Sequence, residues 1–252
     1  MPCPSIEFVD AGFSLNQGHV LLSGLNLAVD SGETLVLLGK SGSGKTTTLK
    51  LINRLLRATL GEVKVDGAPV DHWDVIRLRR RIGYVIQDVG LFPHYTVFEN
   101  VALVPKIERW EGPRITARVE EVLALVGLPA AEFGGRYPHQ LSGGQRQRVG
   151  LARALAADPP ILLMDEPFGA LDPVTRAEVR REFQRLQSRF RKTVVFVTHD
   201  ISEALLLGNR IGLMEQGKLR GVYAPQEFVA SADESVQAYV EPFRAEQQMF
   251  RN

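Results

Sequence analysis

The stretch TLVLLGKSGSGKT, from Thr34 to Thr46, decides the predicted fold. A nearly apolar run, Thr34–Leu38, leads into a loop rich in glycine and serine. Such a run is typical of a strand buried on both faces, as in a parallel sheet covered by helices. The loop itself, residues 39–46, has the spacing G-x-x-x-x-G-K-[ST], in which backbone N–H groups surround phosphate oxygens at a helix N-terminus. The alternative interpretation is an ordinary glycine-rich turn between a strand and a helix.

Three further apolar runs predict buried strands of the same kind: Arg81–Ile86, Ile161–Met164 and Thr193–Thr198. Apolar residues at helical spacing lie between them. Leu49, Ile52, Leu55 and Leu56 form one predicted helical face, and Val179, Phe183, Leu186 and Phe190 form another. The alternation predicts an α/β fold with a mainly parallel sheet flanked by helices.

Two regions depart from this pattern. The N-terminal segments IEFVD, VLLSGLNLAVD and GEVKVDGAPV predict short antiparallel strands joined by glycine turns. Residues 88–158 contain no convincing buried strand, and they carry helical patterns over Thr116–Val126 and Gly143–Ala157. We therefore predict one domain over residues 1–252. Its α/β core takes residues 1–87 and 159–252, and a helical subdomain is inserted at 88–158.

The composition is that of a globular protein. Of the 252 residues 44% are hydrophobic and 23% are charged, and the net charge is +1, which favours neither disorder nor nucleic-acid binding. The one cysteine, Cys3, allows no disulfide within the chain, and we interpret it as inert. The N-terminus lacks the pattern of a signal peptide. No apolar run approaches the roughly 20 residues that span a bilayer, so any membrane role is predicted to be peripheral.

The phosphate loop predicts specific contacts with a nucleoside triphosphate. Lys45 is expected to contact the β- and γ-phosphates, and the Thr46 hydroxyl is expected to ligate Mg²⁺. The remaining loop residues are also assigned to nucleotide binding; they are Gly39, Lys40, Ser41, Gly42, Ser43, Gly44 and Thr47.

An acid pair, Asp165 and Glu166, follows directly after the apolar run ILLM. Two carboxylates at the end of a buried strand are costly unless a positive charge compensates them. A bound Mg²⁺ would do so at Asp165, and Glu166 would then polarise the water that attacks the γ-phosphate. The alternative is a solvated turn after a strand.

The segment LSGGQ, Leu141–Gln145, contains a second pair of glycines before a helical pattern. Ser142 and Gln145 form the S-x-x-Q capping box, so a well-capped helix start is one interpretation. A cap does not require Gly143 and Gly144, whose N–H groups at the positive end of a helix suit a phosphate. Since the phosphate loop already holds one side of the nucleotide, we predict that two copies meet. Each copy would offer this helix to the γ-phosphate bound by the other.

With these motifs, and with YVIQD, ALD and VTHD, the chain resembles the ATP-binding subunits of ABC transporters over nearly its whole length. The resemblance implies a P-loop NTPase core that binds ATP and Mg²⁺. It assigns Gln87 to Mg²⁺ and the attacking water, Asp172 to the interface between subunits, and His199 to the γ-phosphate. Phe13 stands where a tyrosine more often stacks on adenine, and a ring face is enough for stacking. Core packing is the alternative for Phe13.

Three longer stretches, residues 81–107, 136–176 and 196–205, look most like ATPases of bacterial importers for osmoprotectants and quaternary amines such as glycine betaine, choline or carnitine. The resemblance implies a homodimer, or a pair with a second ATPase subunit, at the cytoplasmic face of the membrane. It also implies permease subunits and, indirectly, an extracytoplasmic solute-binding protein. Many such subunits carry C-terminal CBS domains, which this sequence is expected to lack. An importer of another solute, such as an amino acid, is the alternative.

The apolar-rich segment Val89–Pro105 predicts a docking site for a short cytoplasmic helix of the permease, with internal packing as the alternative. Two other classes of protein were compared with the motifs. Soluble ABC-type ATPases of translation or DNA repair usually have paired ATPase units or a long coiled-coil insertion, and neither appears in this sequence. A P-loop kinase has no use for LSGGQ.

Overall fold

The computed structural model describes residues 4–15, 18–87, 89–169, 171–190 and 192–249. Cys3, Asp88 and Ala170, which enter the predictions above, lie outside the described residues, as do the side chains of Leu186 and Phe190. The chain forms two compact units: Met1–Trp73 together with Thr193–Asn252 is the first unit, and Asp74–Lys192 is the second. Strands and helices are numbered in chain order.

The first unit contains an antiparallel sheet with the strand order β2-β1-β4-β5. Its strands are β1 (Ile6–Ser14), β2 (Val20–Val29), β4 (Leu60–Val65) and β5 (Ala68–Pro69). Neighbouring strands pair antiparallel throughout, which confirms the predicted antiparallel strands of the N-terminal part. In the second half of β2 the buried residues alternate with exposed ones, because one face of this sheet covers the core and the other meets solvent.

The first unit also contains strands in the order β10-β9-β3-β8: β3 (Thr34–Leu38), β8 (Thr193–Thr198), β9 (Arg210–Glu215) and β10 (Lys218–Tyr223). β3 runs parallel to both β8 and β9, and β10 returns antiparallel to β9. Every residue of β3 and β8 is buried, as the continuous apolar runs predict. The register pairs Leu38 with Thr198, so the residues after these two strands leave the same edge of the sheet.

The described residues of the first unit also form four α-helices, α1 (Lys45–Ile52), α8 (Ile201–Leu207), α9 (Pro225–Ala230) and α10 (Glu234–Met249), and a short 3₁₀ helix, Val70–His72. The prediction that Leu55 and Leu56 extend the buried face of α1 is wrong. The helix ends at Ile52, Arg54 takes the left-handed φ of 54°, and the Asn53 side chain accepts the N–H of Leu55. Leu55 is consequently 48% exposed.

The second unit contains one parallel strand pair, β6 (Ile82–Val85) and β7 (Ile161–Asp165), with Val85 opposite Met164. Its described residues also form six α-helices, α2 (Val75–Arg80), α3 (Val97–Ile107), α4 (Gly112–Leu125), α5 (Ala130–Phe133), α6 (Gly143–Leu155) and α7 (Pro173–Phe190), and a short 3₁₀ helix, Pro138–Gln140. Val179 and Phe183 of α7 are buried, as their spacing predicts.

The α/β fold class is confirmed. The described residues between 88 and 158 form helices α3–α6 and no strand, in line with the helical pattern there. The second unit is wider than that range, because it also contains β6, β7 and α7. The boundaries 1–87, 88–158 and 159–252 therefore stay a prediction.

Candidate nucleotide-binding site

The phosphate loop joins the buried strand β3 to α1 and has a backbone that only glycine adopts easily. Gly42 has a φ of 78°, and Gly44, which caps α1 without any side-chain hydrogen bond, has a φ of 99°. A Cβ at Gly39 would collide with the carbonyl oxygen of Met214 in β9. The loop therefore lies tightly against the sheet and leaves the N-terminus of α1 without a side-chain cap, as an anion site requires.

Lys45 lies inside this loop. Its side chain is 5% exposed, and Nζ donates to the carbonyl oxygens of Gly39 at 2.7 Å and Lys40 at 2.9 Å. Ser43 is equally buried, and its Oγ has no hydrogen-bond partner within the described residues. A buried ammonium, a polar atom without a partner and the end of a helix dipole suit the phosphates of a nucleotide.

His199 leaves the sheet beside this loop. It follows Thr198, the last residue of β8, and Thr198 is paired in register with Leu38, the residue before Gly39. The imidazole is exposed, whereas all six residues of β8 are buried. The first unit therefore brings the predicted phosphate contacts of Lys45 and His199 to one edge of one sheet.

Phe13, the predicted adenine platform, lies in β1 opposite Leu22 of β2. Its side chain is only 9% exposed, which is the burial of a core residue. This observation supports the alternative of core packing, and adenine stacking stays a prediction.

In the second unit, the acid pair lies at the carboxyl end of β7. Asp165 is 5% exposed, and burial together with this carboxylate raises the pKa of Tyr84 on β6. Glu166 has a φ of 44°, which is uncommon for a residue other than glycine and turns the chain immediately after the strand. Gln87 follows β6 at the same edge and is exposed. Gln87, Asp165 and Glu166 therefore share the carboxyl edge of this strand pair.

Each predicted Mg²⁺ ligand carries the oxygen donor that this ion prefers. In the first unit, Thr46 has a hydroxyl in the first turn of α1; in the second unit, Asp165 has a carboxylate and Gln87 an amide oxygen at the end of their strand pair. The described residues form no group of three or more His, Cys, Asp or Glu side chains that could hold a metal ion.

Ser142 caps α6 with the predicted capping box. Its Oγ accepts the N–H of Gln145 at 3.2 Å, and the Gln145 side chain accepts the N–H of Ser142 at 2.9 Å. The two glycines between them have different surroundings. A Cβ at Gly144 would collide with the Thr175 methyl group on α7, whereas a Cβ at Gly143 would meet only Arg146 Nη2, 3.9 Å away. Helix packing thus explains why residue 144 is a glycine, whereas Gly143 is open and exposed. Phosphate binding by the N–H groups of both glycines stays a prediction.

Asp172 caps α7, whose first turn carries Thr175, the residue that lies against Gly144. Its Oδ1 accepts the N–H groups of Val174 at 3.1 Å and Thr175 at 3.0 Å. The pKa of this exposed carboxyl is lowered, mainly by hydrogen bonds from the side chain and backbone of Thr175. Thr175 therefore contacts both motifs: its N–H binds Asp172, and its methyl group packs against Gly144. Val174, the residue before Thr175, is 70% exposed.

Sequence reasoning missed three residues near these motifs. Arg153 on α6 donates to the carbonyl oxygens of Val89 at 2.7 Å and Gly90 at 2.8 Å, and so holds the segment after Gln87. Thr198 and Glu203 form a buried hydrogen bond next to His199. For Arg153 and Glu203, the available signal was a charged residue among the apolar residues of a helix.

A sequence profile described as "ABC transporter" matches residues 22–169. The chain belongs to the ABC transporter family. The matched range begins in β2 and includes the phosphate loop, the LSGGQ segment and the acid pair.

Two relatives from bacterial uptake systems extend this result. The chain is 47% identical to the choline transport ATP-binding protein OpuBA of Bacillus subtilis (strain 168), over 88% of the chain and 58% of the relative. It is 49% identical to the osmoprotectant import ATP-binding protein OsmV of Salmonella typhimurium (strain LT2), over 93% of the chain and 62% of the relative. The expected resemblance to osmoprotectant ATPases is confirmed. The chain spans about three fifths of the length of these relatives.

One solved ABC structure supports the fold. The dimeric post-hydrolysis state of the ATP-binding cassette MJ0796 with ADP and Pi matches with a TM-score of 0.78 and 36% identity, over 87% of this chain and 98% of that one. Within the described residues, no helix has both the length and the hydropathy to cross a membrane.

Proposed function

We propose that this chain is the ATP-hydrolysing subunit of an importer for a quaternary-amine osmoprotectant such as glycine betaine, choline or carnitine. The observation that carries the proposal is the phosphate loop with Lys45 buried inside it, at the same sheet edge as His199. The relatives OpuBA and OsmV, named for choline transport and osmoprotectant import, support the class of cargo.

ATP is the substrate of the proposed reaction. The loop amides and Lys45 bind its β- and γ-phosphates, and the chain's Thr46, Gln87 and Asp165 would hold Mg²⁺. When bound, that ion neutralises phosphate charge. Glu166 accepts a proton from the water whose oxygen attacks the γ-phosphorus. The bond from that phosphorus to the bridging oxygen breaks, ADP and phosphate leave, and His199 contacts the transferred group.

Two copies are proposed to close head to tail on ATP. Ser142, Gly144 and Gln145, together with the exposed Gly143, would face the γ-phosphate held by Lys45 of the other copy. The cap of α6 satisfies its own end with Ser142 and still leaves Gly143 open, which supports the approach of a phosphate there. Exposed Val174 beside Asp172 supports a protein contact at the start of α7. ATP would then favour the closed pair by its preference for that state.

A permease is the proposed membrane partner, which places the chain peripherally at the cytoplasmic face. A cavity of about 320 Å³ in the second unit is lined in part by Gly90, Phe92, Leu103, Val104 and Arg153. Phe92, one of these lining residues, is 41% exposed, whereas Val97 and Val101 of the same segment are fully buried. Internal packing thus explains the middle of segment Val89–Pro105, and its exposed parts are proposed to receive a cytoplasmic helix. The extracytoplasmic solute-binding protein would act through the permease.

Uptake by a reconstituted system tests the proposal. The chain is placed in proteoliposomes with the permease and solute-binding protein encoded beside it, and labelled glycine betaine and choline are supplied. We expect ATP-dependent uptake, and Glu166→Gln is expected to lower turnover by at least about a hundredfold while nucleotide binding is kept. Uptake of an amino acid instead would correct the cargo. Purification with ribosomes or DNA rather than a permease would contradict the transport function.

A further inference from the structure

A buried carboxylate lies beside His199 on the first turn of α8. Glu203 is 4% exposed and shares the buried face of the helix with Ala204 and Leu207. A carboxylate in such surroundings is costly unless hydrogen bonds stabilise it. The helix does not need it as a cap, because Asp200 already caps α8 by accepting the N–H of Ser202 at 2.7 Å.

The hydrogen bonds of Glu203 lead to the backbone around His199. The Thr198 hydroxyl, on a residue that is 2% exposed, donates to Glu203 Oε2 at 2.5 Å. The same hydroxyl oxygen accepts the N–H of Asp200 at 3.0 Å. Thr198 and Asp200 are the two neighbours of His199 in the chain, so one hydroxyl ties both sides of the histidine together. The carboxylate fixes the rotation of that hydroxyl, because its hydrogen can point to only one acceptor.

We propose that Glu203 is a positioning residue that acts through Thr198 to aim the His199 imidazole at the γ-phosphate. The inference rests on the proposed function, in which His199 touches that phosphate. Glu203 itself lies inside the unit and contacts no substrate. Its effect should therefore appear in the turnover of bound ATP rather than in the binding of ATP.

ATP hydrolysis by the full chain with its permease tests this inference. Glu203→Met keeps a similar volume but cannot accept the hydrogen bond, and Thr198→Val keeps the shape of threonine without its hydroxyl. Each is expected to lower kcat about tenfold or more while KM for ATP stays within about twofold, because a misplaced catalytic contact affects the transition state. Glu203→Gln keeps an acceptor oxygen and is expected to retain kcat within about threefold.

The decisive comparison uses the background His199→Ala. There, Glu203→Met and Thr198→Val are expected to cause no further loss of kcat, because their effect passes through the imidazole. A merely structural role would lower kcat in both backgrounds. Glu33→Met is the matched control: the side chain of Glu33 is 10% exposed and holds Arg210 at the opposite end of β3. It should lower the melting temperature and leave kcat unchanged.

The outcomes distinguish failure of the role proposed for Glu203 from failure of the role proposed for His199. Normal kcat in folded Glu203→Met, or an equal loss of kcat with and without His199, overturns the role of Glu203 and leaves the proposed function standing. If His199→Ala alone keeps normal kcat, the assignment of His199 in the proposed function fails, and this inference fails with it. Should Glu203→Met not fold, Thr198→Val in both backgrounds gives the same decision.

Discussion

The phosphate loop and the LSGGQ segment both place glycines at the start of a helix, yet they are built differently. In the phosphate loop, Gly42 and Gly44 have positive φ, and the helix begins at a glycine without a side-chain cap. In LSGGQ, neither glycine has a positive φ, and Ser142 and Gln145 cap the helix reciprocally. The first end is open to a ligand bound by the same chain, with a buried ammonium beside it. The second end is complete by itself and offers one open glycine to an outside ligand.

The largest expected effect on ATP hydrolysis comes from removing the Lys45 ammonium, which the phosphate loop has and the LSGGQ segment lacks. Lys45→Ala should lower kcat/KM for ATP hydrolysis by about a hundred- to a thousandfold, because a preorganised cation that contacts the transferring phosphate is lost. Lys50→Ala, farther along the same helix and outside the site, is the matched control and should keep normal kinetics. Steady-state hydrolysis and titration with a fluorescent ATP analogue measure both variants. Unchanged ATP affinity and turnover in Lys45→Ala would show that the loop does not hold the nucleotide.

A second prediction sharpens the difference between the two glycines of LSGGQ. Gly144→Ala forces a methyl group into Thr175 and should destabilise the fold by about 1–3 kcal/mol. Gly143→Ala has room and should change stability by no more than about 1 kcal/mol, yet it should weaken the ATP-dependent pairing of two copies. Thermal unfolding and sedimentation with ATP separate the two effects. Equal melting temperatures for the two variants would contradict the packing role of Gly144.

The smallest expected effects are on stability, and they distinguish the neutral cap of α6, Ser142, from the charged cap of α7, Asp172. Ser142→Ala should cost about 1 kcal/mol at every pH. Hydrogen bonds lower the pKa of Asp172, so its carboxylate stabilises the folded state above the pKa of the unfolded chain and loses this effect as the pH falls through the folded pKa. The difference in melting temperature between wild type and Asp172→Asn should therefore be constant from about pH 5 to 8 and shrink below about pH 4. A difference that is the same at pH 3 and pH 7 would contradict this assignment.

The sequence predicted the elements whose signal is local. The runs Thr34–Leu38 and Thr193–Thr198 became buried strands with the predicted bounds, because both faces of a covered strand are apolar. The capping box at Ser142 also depends on adjacent residues only, and it is present as predicted. Hydrophobic spacing failed at Leu55, because the turn formed by Asn53 and Arg54 ends the helix before that residue.

The features that sequence reasoning missed depend on side-chain packing, which the spacing of motifs does not describe. Position 144 has no room for a side chain, because Thr175 of another helix lies against it. For Phe13 the sequence left core packing and adenine stacking both open, and its burial depends on the pairing of β1 with β2. In the sequence Glu203 is an unremarkable charged residue, and only the structure shows that it is buried and accepts a hydrogen bond from Thr198. The spacing of motifs predicts which residues meet a ligand, whereas the contacts that support those residues depend on packing.

The central claim is that ATP joins two copies, each with an open phosphate loop and a self-capped LSGGQ helix. Sedimentation velocity of the Glu166→Gln variant tests it most directly, because this variant should bind ATP without consuming it. The account predicts a dimer at saturating Mg-ATP and a monomer without nucleotide. A monomer under both conditions, including in the presence of the permease, would contradict it.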